Sequence, residues 1–251
     1  MHQRHAAGIK QLVDRQVFKW REEAHAHGES SEVPMGTPQT EKLGPYVAFS
    51  RDFGCGALEL AQELSLRLGW SLFDRDLMDE IAKEAHLRLS VVESFDERTR
   101  SWLAEYIEGL TFMASFSEHD FFRHLVSVVT TVARHGKAIL VGRGSCFILP
   151  PADGVRVRLI APFDKRVEWM MPKHHLTKVE AEKLVREKDQ DRAQFIQRHF
   201  HRPVDDASAY DRLFNTAECS REAILHGILE LLRTKLGIRV PVDAPGVPLV
   251  L

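Results

Sequence analysis

The sequence predicts an α/β fold with five parallel strands in one sheet and helices on both faces. Five short apolar stretches, each of a length suited to a buried strand, alternate with segments whose apolar residues recur at helical spacing. Such alternation is typical of strand–helix–strand crossovers, which join parallel strands and cover both faces of their sheet. The predicted strands are residues 46–49, 70–73, 137–141, 155–161 and 212–215.

The segments between and after these strands predict five helices. They are residues 58–68, 76–86, 119–135, 176–204 and 221–236. The third has a clear end, because Gly136 follows its last residue and glycine commonly stops a helix. The fourth is rich in charge and is therefore not typical of a core helix. Its basic residues include Arg186, Lys188, Arg192, Arg198 and Arg202.

The first 45 residues form a separate region of the sequence. Within residues 1–28, the apolar positions fall on one helical stripe, formed by Ile9, Leu12, Val13, Val17 and Trp20. Residues 28–45 are polar and contain two interior prolines, which indicates a linker. We therefore expect residues 1–45 to be an N-terminal helix and linker, and residues 46–251 to be the folded domain. The helix either packs on that domain or contacts a partner.

Composition narrows the classes of function. The net charge is -2, which does not suggest a general nucleic-acid-binding surface. Three scattered cysteines without a CxxC pair suggest neither disulfides nor a zinc site, and no secretory signal or apolar run of membrane-spanning length is visible. We expect a cytoplasmic protein that binds neither nucleic acid nor a membrane. Nothing in the sequence indicates an oligomeric state.

A loop with two glycines follows the first predicted strand. This glycine loop runs from Ser50 to Gly56, with Gly54 and Gly56 on either side of Cys55. Ligands of parallel α/β sheets bind at the carboxyl ends of the strands, and a helix that starts there points its free amides at an anion. We expect phosphate contacts from residues Ser50, Arg51, Gly54, Cys55, Gly56 and Ala57, with Arg51 supplying positive charge. An ordinary tight turn is the alternative.

Six motifs, which follow one another along the sequence, support the interpretation of the glycine loop as a phosphate-binding loop. They are Ser50–Ala61, Leu68–Met78, Val141–Gly144, Val155–Pro162 with the following Arg166, Asp189–Ala193 and Tyr210–Thr216. In this order they resemble the cytidylate kinase-like family, over about residues 46–236. The resemblance implies the three-layer α/β/α fold of P-loop NTP hydrolases. It also implies an acceptor-binding helical insertion at about 76–135 and a lid at about 176–204.

The glycine loop departs from the standard P-loop. In P-loop kinases a lysine contacts the β and γ phosphates, and a serine or threonine binds magnesium. Ala57 and Glu59 occupy those places here. The family that the chain resembles also lacks the lysine, but it usually carries glycine where this chain has Ala57. Glu59 either binds Mg²⁺ or only complements the positive end of the helix dipole.

The resemblance implies a division of roles among charged residues. Arg51, Arg143 and Arg192 would be catalytic, because guanidinium groups bind phosphate oxygens well. Asp74, Arg75 and Arg143 would hold the acceptor, and Lys188, Arg192 and Arg198 would belong to the lid. Two simpler roles stay open, since Asp74 could only cap the next helix and Arg192 could only pair with a neighbouring carboxylate.

The expected function is ATP-dependent phosphoryl transfer to a nucleoside monophosphate or a related small molecule. The cofactors would be ATP and Mg²⁺, and the partner a small nucleotide substrate. The missing lysine favours an alternative, a non-catalytic nucleotide-binding or regulatory module with a degenerate P-loop. A second alternative is an interaction protein in which the fold persists without a working pocket.

Overall fold

The computed structural model describes residues 43–83 and 119–238, together with the isolated positions 15, 18 and 108. Arg15 and Phe18 are helical, while the rest of the predicted N-terminal helix and nearly all of the linker lie outside the described residues. The chain divides into two compact units. One comprises Pro45–Asp74 with Lys137–Leu251, and the other comprises Met1–Gly44 with Arg75–Gly136.

The first unit contains a sheet of five parallel strands in the order β2-β3-β1-β4-β5. The strands are β1 (Tyr46–Arg51), β2 (Ser71–Phe73), β3 (Ala138–Val141), β4 (Gly154–Ile160) and β5 (Arg212–Asn215). On the central strand, Tyr46 lies opposite Ala138 of β3 and Gly154 of β4. The five predicted strands and their parallel arrangement are confirmed.

Seven α-helices lie within the described residues. They are α1 (Ala57–Leu68), α2 (Arg75–Lys83), α3 (His119–His135), α4 (Ser145–Ile148), α5 (Phe163–His174), α6 (Lys178–Phe200) and α7 (Arg221–Leu236). The sequence did not predict α4 or α5. Helix α4 has a single turn. Helix α5 contains Pro172 near its end, although its apolar residues Phe163, Val167, Met170 and Met171 do follow helical spacing.

Helices cover both faces of the sheet. Along β1 the side chains alternate, so Val47 and Phe49 face a buried cluster while Ala48 faces the other way. The cluster is completed by strand residues Val141, Val155, Val157 and Leu159, by Leu60, Ala61 and Leu64 of α1, and by Ile224, Leu225, Ile228 and Leu232 of α7. On the opposite face α4 packs against β1, where the Cys146 thiol lies 3.4 Å from the Ala48 carbonyl oxygen.

A half-buried arginine, Arg67, ties α1 to α7. The Arg67 guanidinium donates to both carboxylate oxygens of Glu222, at 2.7 and 2.6 Å, and to Glu63 at 2.5 Å. These hydrogen bonds, above all those to Glu222, raise the pKa of Arg67 above its usual value. Arg67 lies in the last turn of α1, so this anchor holds the end of the helix that is farther from the glycine loop.

The predicted lid segment is a helix with a well-defined start. Thr177 caps α6, since its hydroxyl accepts the Glu180 N–H while the Glu180 carboxylate accepts the Thr177 N–H at 2.8 Å. Helices α5 and α6 pack together around a small core of Val167, Met170, Ala181 and Val185.

In the second unit, α2 and α3 pack on each other. Their buried residues include Met78, Ile81, Phe122, Leu125 and Val129. Both helices fall in the predicted insertion at about 76–135, of which residues 84–107 and 109–118 lie outside the described part. Among the helices of the described residues, none has the length and apolar character that a membrane span requires.

Candidate functional site

The glycine loop has the backbone shape that brings amides close to an anion. Gly54 and Gly56 have φ angles of 85° and 74°, a region that favours glycine. A Cβ atom on Gly54 would also come within 3.0 Å of Met170. Gly56 is the N-cap of α1 and has no side chain to cap the helix, whereas the Glu59 carboxylate in the first turn accepts a backbone N–H. Ala57 is the first helical residue and needs no positive φ, so alanine fits there.

A cavity of about 450 Å³ opens beside the glycine loop. We call it the loop cavity. Its walls are the loop, α1, α5 and the connection from β5 to α7, and the lining residues are Gly54, Cys55, Gly56, Glu59, Leu60, Trp169, Met170, Lys173, Thr216, Cys219, Ser220, Arg221 and Ile224. Lys173 and Arg221 therefore bring positive charge to a loop that lacks its own lysine.

Glu59 stands on the cavity wall in an ion pair with Lys173. Partial burial would raise the pKa of Glu59, but the hydrogen bond and charge of Lys173 bring it below its usual value. Within the described part of the chain, no three acidic, histidine or cysteine side chains cluster as a metal site would require. Mg²⁺ commonly takes one or two carboxylates and completes its shell with phosphates and water. Glu59 fits that pattern only if the nucleotide supplies phosphate oxygens.

The turn after β3 places an arginine under conformational strain. Gly142, Arg143 and Gly144 have consecutive φ angles of 90°, 50° and 72°. A left-handed conformation costs a residue with a Cβ atom about 1–2 kcal/mol, and such strain is often found at functional sites. Gly142 also permits close packing, because a Cβ atom there would lie 1.8 Å from Nη1 of Arg51.

Helix α6 crosses this turn and the glycine loop. The Arg143 guanidinium lies 5.5 Å from the ring centre of Phe195, and the guanidinium of Arg192 lies at the same distance from the ring of Phe53. The Arg192 guanidinium also lies 3.5 Å from a carboxylate oxygen of Asp189. Arg192 therefore does form the ion pair with a neighbouring carboxylate that was the alternative to a role in phosphate binding. We call Arg51, Arg143 and Arg192 the arginine cluster. None of the three lines the loop cavity.

The other predicted site residues are more dispersed. Asp74 follows β2 and is half-buried, whereas Arg75 begins α2 in the second unit, where its Nε lies 3.8 Å from Asp79. Lys188 lies 3.9 Å from Asp191. Arg198 lines a further cavity of about 680 Å³.

A polar cluster beneath the glycine loop was not predicted. Arg158 of β4 is buried and donates to Ser50 Oγ at 3.0 Å and to Asp52 at 2.7 Å, and the Tyr210 hydroxyl lies 3.2 Å from Ser50. Burial raises the pKa of Asp52, although Arg158 and Arg166 oppose this effect. The sequence did contain a sign of this polar cluster, because Arg158 is a charged residue inside the apolar predicted strand 155–161. Ser50 thus belongs to the support of the loop rather than to the cavity wall.

Two comparisons place the chain among known proteins. Residues 46–218, more than half of the sequence, match the model of the cytidylate kinase-like family. The chain belongs to this family. It is similar to the solved structure of an uncharacterized protein from Eubacterium ventriosum ATCC 27560, with 18% identity, a TM-score of 0.57, and coverage of 73% of this chain and 97% of that one. This likeness shows the fold alone.

A second solved structure is shikimate kinase from Bacteroides thetaiotaomicron. It shows 16% identity and a TM-score of 0.42, and the match covers 76% of this chain and 99% of that chain. No match was found among curated proteins. The predicted family and the α/β/α fold are therefore confirmed by the family match and by the sheet itself.

Proposed function

We propose that this cytidylate kinase-like protein transfers a phosphoryl group from MgATP to a nucleoside monophosphate or a similar small acceptor. One observation carries the proposal: the glycine loop and the first turn of α1 open onto the loop cavity, whose wall includes Lys173 and Arg221. Phosphoryl transfer depends mainly on alignment and on positive charge around the phosphates, and these groups would supply the charge.

The loop cavity suits the donor. Its volume of about 450 Å³ lies within the range of small-molecule sites, and Trp169 and Met170 offer apolar surface for a base. The amides of Gly54–Gly56 would hold phosphate oxygens, and Lys173 would take the place of the missing loop lysine. Magnesium, when bound with ATP, would neutralise phosphate charge. Glu59 would stand beside it after releasing Lys173.

The arginine cluster suits the transferred group and the acceptor. It lies outside the loop cavity, between the glycine loop, the turn after β3 and α6. Arg143 would bind the acceptor phosphate, with Asp74 and Arg75 as further predicted contacts. Arg51 would contact the phosphates between donor and acceptor. Arg192 and the rest of α6, including Lys188 and Arg198, would act as the lid that excludes water.

A nucleotide-binding module without catalysis is the second candidate. Two observations favour it: Ala57 stands where the lysine belongs, and Glu59 already engages Lys173. Such a module would bind ATP in the same cavity but would not turn over an acceptor.

Calorimetry and a coupled kinase assay together separate these functions. The full chain is titrated with MgATP and with each nucleoside monophosphate, cytidylate included, and ATP consumption is then followed with each acceptor. Binding with turnover supports the kinase, and binding without turnover supports the module. A chain that binds no nucleotide contradicts both.

Two single variants test the roles in an active protein. Arg143→Ala is expected to raise the KM for the acceptor, and Arg51→Ala to weaken use of ATP, each by about tenfold or more because a charged contact to phosphate is lost. Arg212→Ala is a suitable control, since this exposed arginine belongs to neither the cavity nor the cluster. If both site variants retain wild-type kinetics, the assignment of the arginines is wrong.

A further inference from the structure

The backbone of Phe53, at the centre of the glycine loop, is held on both sides by side chains from other helices. Its N–H donates to Oδ1 of Asp189, at 2.8 Å. Its carbonyl oxygen accepts a hydrogen bond from Nη1 of Arg166, at 3.1 Å. Asp189 lies in the middle of α6 and Arg166 in the first turn of α5, so two elements outside the loop define the position of one loop residue.

The two side chains also bind each other. Nη1 of Arg166 donates to Oδ2 of Asp189, and Nε of Arg166 donates to the carbonyl oxygen of Ala161 at 2.9 Å. Arg166 is buried, where an unpaired charge would be costly, and the Asp189 carboxylate compensates its positive charge. We call Asp189 and Arg166 the Phe53 clamp. Through Ala161 the clamp is attached to the end of β4, a rigid part of the fold.

The clamp and the loop cavity use different parts of the glycine loop. Gly54, Cys55 and Gly56 line the cavity, whereas Phe53, Asp189 and Arg166 do not. A ligand in the cavity therefore does not compete with Asp189 for the Phe53 N–H. Gly54 follows Phe53 directly and has a φ of 85°. Holding the backbone of Phe53 in place therefore limits the conformations open to the loop at Gly54.

We propose that Asp189 is a positioning residue that orders the glycine loop when α6 lies over it. The same helix packs Phe195 and Phe200 against Gly144 in the turn after β3. Helix α6 thus contacts both loops of the site, and movement of α6 away from the sheet would remove the acceptor of the Phe53 N–H. Closure of the helix and order in the glycine loop are coupled through this carboxylate, which also pairs with Arg192, the α6 residue that lies over the Phe53 ring. The consequence for donor affinity rests on the proposed function.

Asp189→Ala and Asp191→Ala form a matched pair for the test. Both aspartates lie inside α6, and alanine is a better helix former than aspartate at either position. Asp191 is exposed and has only a loose ion pair with Lys188, three residues earlier on the helix, at 3.9 Å. The first measurement is hydrogen exchange at the Phe53 amide by NMR, on the full chain without ligand. The second is the dissociation constant of MgATP by calorimetry.

The expected result is exchange at the Phe53 amide about ten- to a hundredfold faster in Asp189→Ala than in Asp191→Ala, because a hydrogen bond to a charged group is lost. We also expect the MgATP dissociation constant to rise about tenfold in Asp189→Ala only. Asp189→Asn keeps an oxygen for the Phe53 N–H but loses the charge opposite Arg166. In Asp189→Asn the Phe53 amide should exchange at a rate between those of Asp189→Ala and Asp191→Ala. If Asp189→Ala does not fold, Asp189→Asn replaces it in the comparison with Asp191→Ala.

Equal exchange at Phe53 in the two alanine variants overturns the clamp. Faster exchange in Asp189→Ala with unchanged affinity for MgATP overturns its positioning role. If the wild-type chain binds no MgATP, the proposed function fails, and the exchange measurement alone decides whether Asp189 orders the loop.

Discussion

Arg143 shows how much this site depends on single backbone positions. The backbone of Arg143 is left-handed, a conformation that costs free energy in any residue with a Cβ atom. The glycines on either side of it also have positive φ angles. The turn brings the guanidinium towards Phe195 of α6, while Gly142 lets Arg51 pack on bare backbone. Positive charge is thereby concentrated at the ends of β1 and β3 without a lysine in the glycine loop.

Replacing Gly142 with alanine should displace Arg51. The new Cβ atom would lie 1.8 Å from Nη1 of Arg51, and φ of 90° would be strained as well. Gly237→Ala is the matched control, because Gly237 has φ of 68° with no heavy atom within 4 Å of its added Cβ. Chemical denaturation of Gly237→Ala should show a loss of about 1–2 kcal/mol from strain alone. Only the flexible end of Arg51 must move in Gly142→Ala, so its loss should be similar, and the test is the use of ATP: unchanged kinetics with ATP in Gly142→Ala would contradict the role of Arg51.

Cysteine reactivity should report occupation of the loop cavity. Burial raises the pKa of the Cys55 and Cys146 thiols to about 12, so neither forms the reactive thiolate near neutral pH. Cys219 is half-buried and lines the cavity. We expect a maleimide to modify Cys219 first, and saturating MgATP to slow that reaction about tenfold or more by covering the thiol.

Mass spectrometry of the labelled peptides identifies the modified residue, and Cys219→Ser should remove the fast phase. Unchanged labelling of Cys219 under nucleotide concentrations that saturate binding would show that ATP binds elsewhere.

At the scale of elements, the last turn of α3 contains a histidine that is kept neutral. A protonated histidine at a helix C-terminus is normally favourable, because it complements the helix dipole. Burial, with a smaller effect of Arg134, instead lowers the pKa of His135 from 6.5 to about 3. Desolvation therefore outweighs the dipole at this helix end.

The stability of the chain should fall on mild acidification because of His135. Above pH 6.5 the histidine is neutral in both states; as the pH falls from 6.5 towards 3, the unfolded chain takes up a proton that the folded chain excludes. Between pH 6.5 and 5 this linkage removes about 1.5 kcal/mol. Urea denaturation of wild type and His135→Gln at both pH values tests it. Parallel losses in the two proteins would show that His135 is not the group responsible.

The elements differ in how far the sequence defines them. The five strands could be predicted because their apolar runs are buried on both faces of a parallel sheet. Helix α6 could be predicted from its length and its charged helical pattern. Helix α5 was missed although Phe163, Val167, Met170 and Met171 follow helical spacing. It is short, contains Pro172 and fully buries only Arg166, Val167 and Met170, so its signal in the sequence is weak.

Across the whole molecule, the contacts that join the glycine loop and α1 to α5 and α6 link residues that are distant in sequence. Lys173 meets Glu59 across 114 positions, and Asp189 meets Phe53 across 136. Motif order identified the family, and it predicted the arginine cluster because those residues lie in or beside recognisable loops. Lys173 and Asp189 lie inside charged helices, where salt bridges to neighbours are the ordinary expectation. Only tertiary contacts distinguish them from surface charges.

Binding of a nucleotide to the folded chain should raise its unfolding temperature, which tests the donor site without an acceptor. A ligand at about a hundred times its dissociation constant adds about 2.7 kcal/mol of stability. For a chain of this size that corresponds to about 5–10 °C. We expect MgATP to give such a shift in the wild type. Lys173→Met should reduce it by about 2–5 °C at the same concentration, because one contact to the phosphates is lost.

Lys183→Met is the matched control, since Lys183 is exposed on α6 and pairs only loosely with Glu187, at 3.8 Å. Its shift should equal that of the wild type. A full shift in Lys173→Met would mean that the donor phosphates do not reach Lys173, and the positive charge at the glycine loop would then have to come from Arg221 or from the arginine cluster.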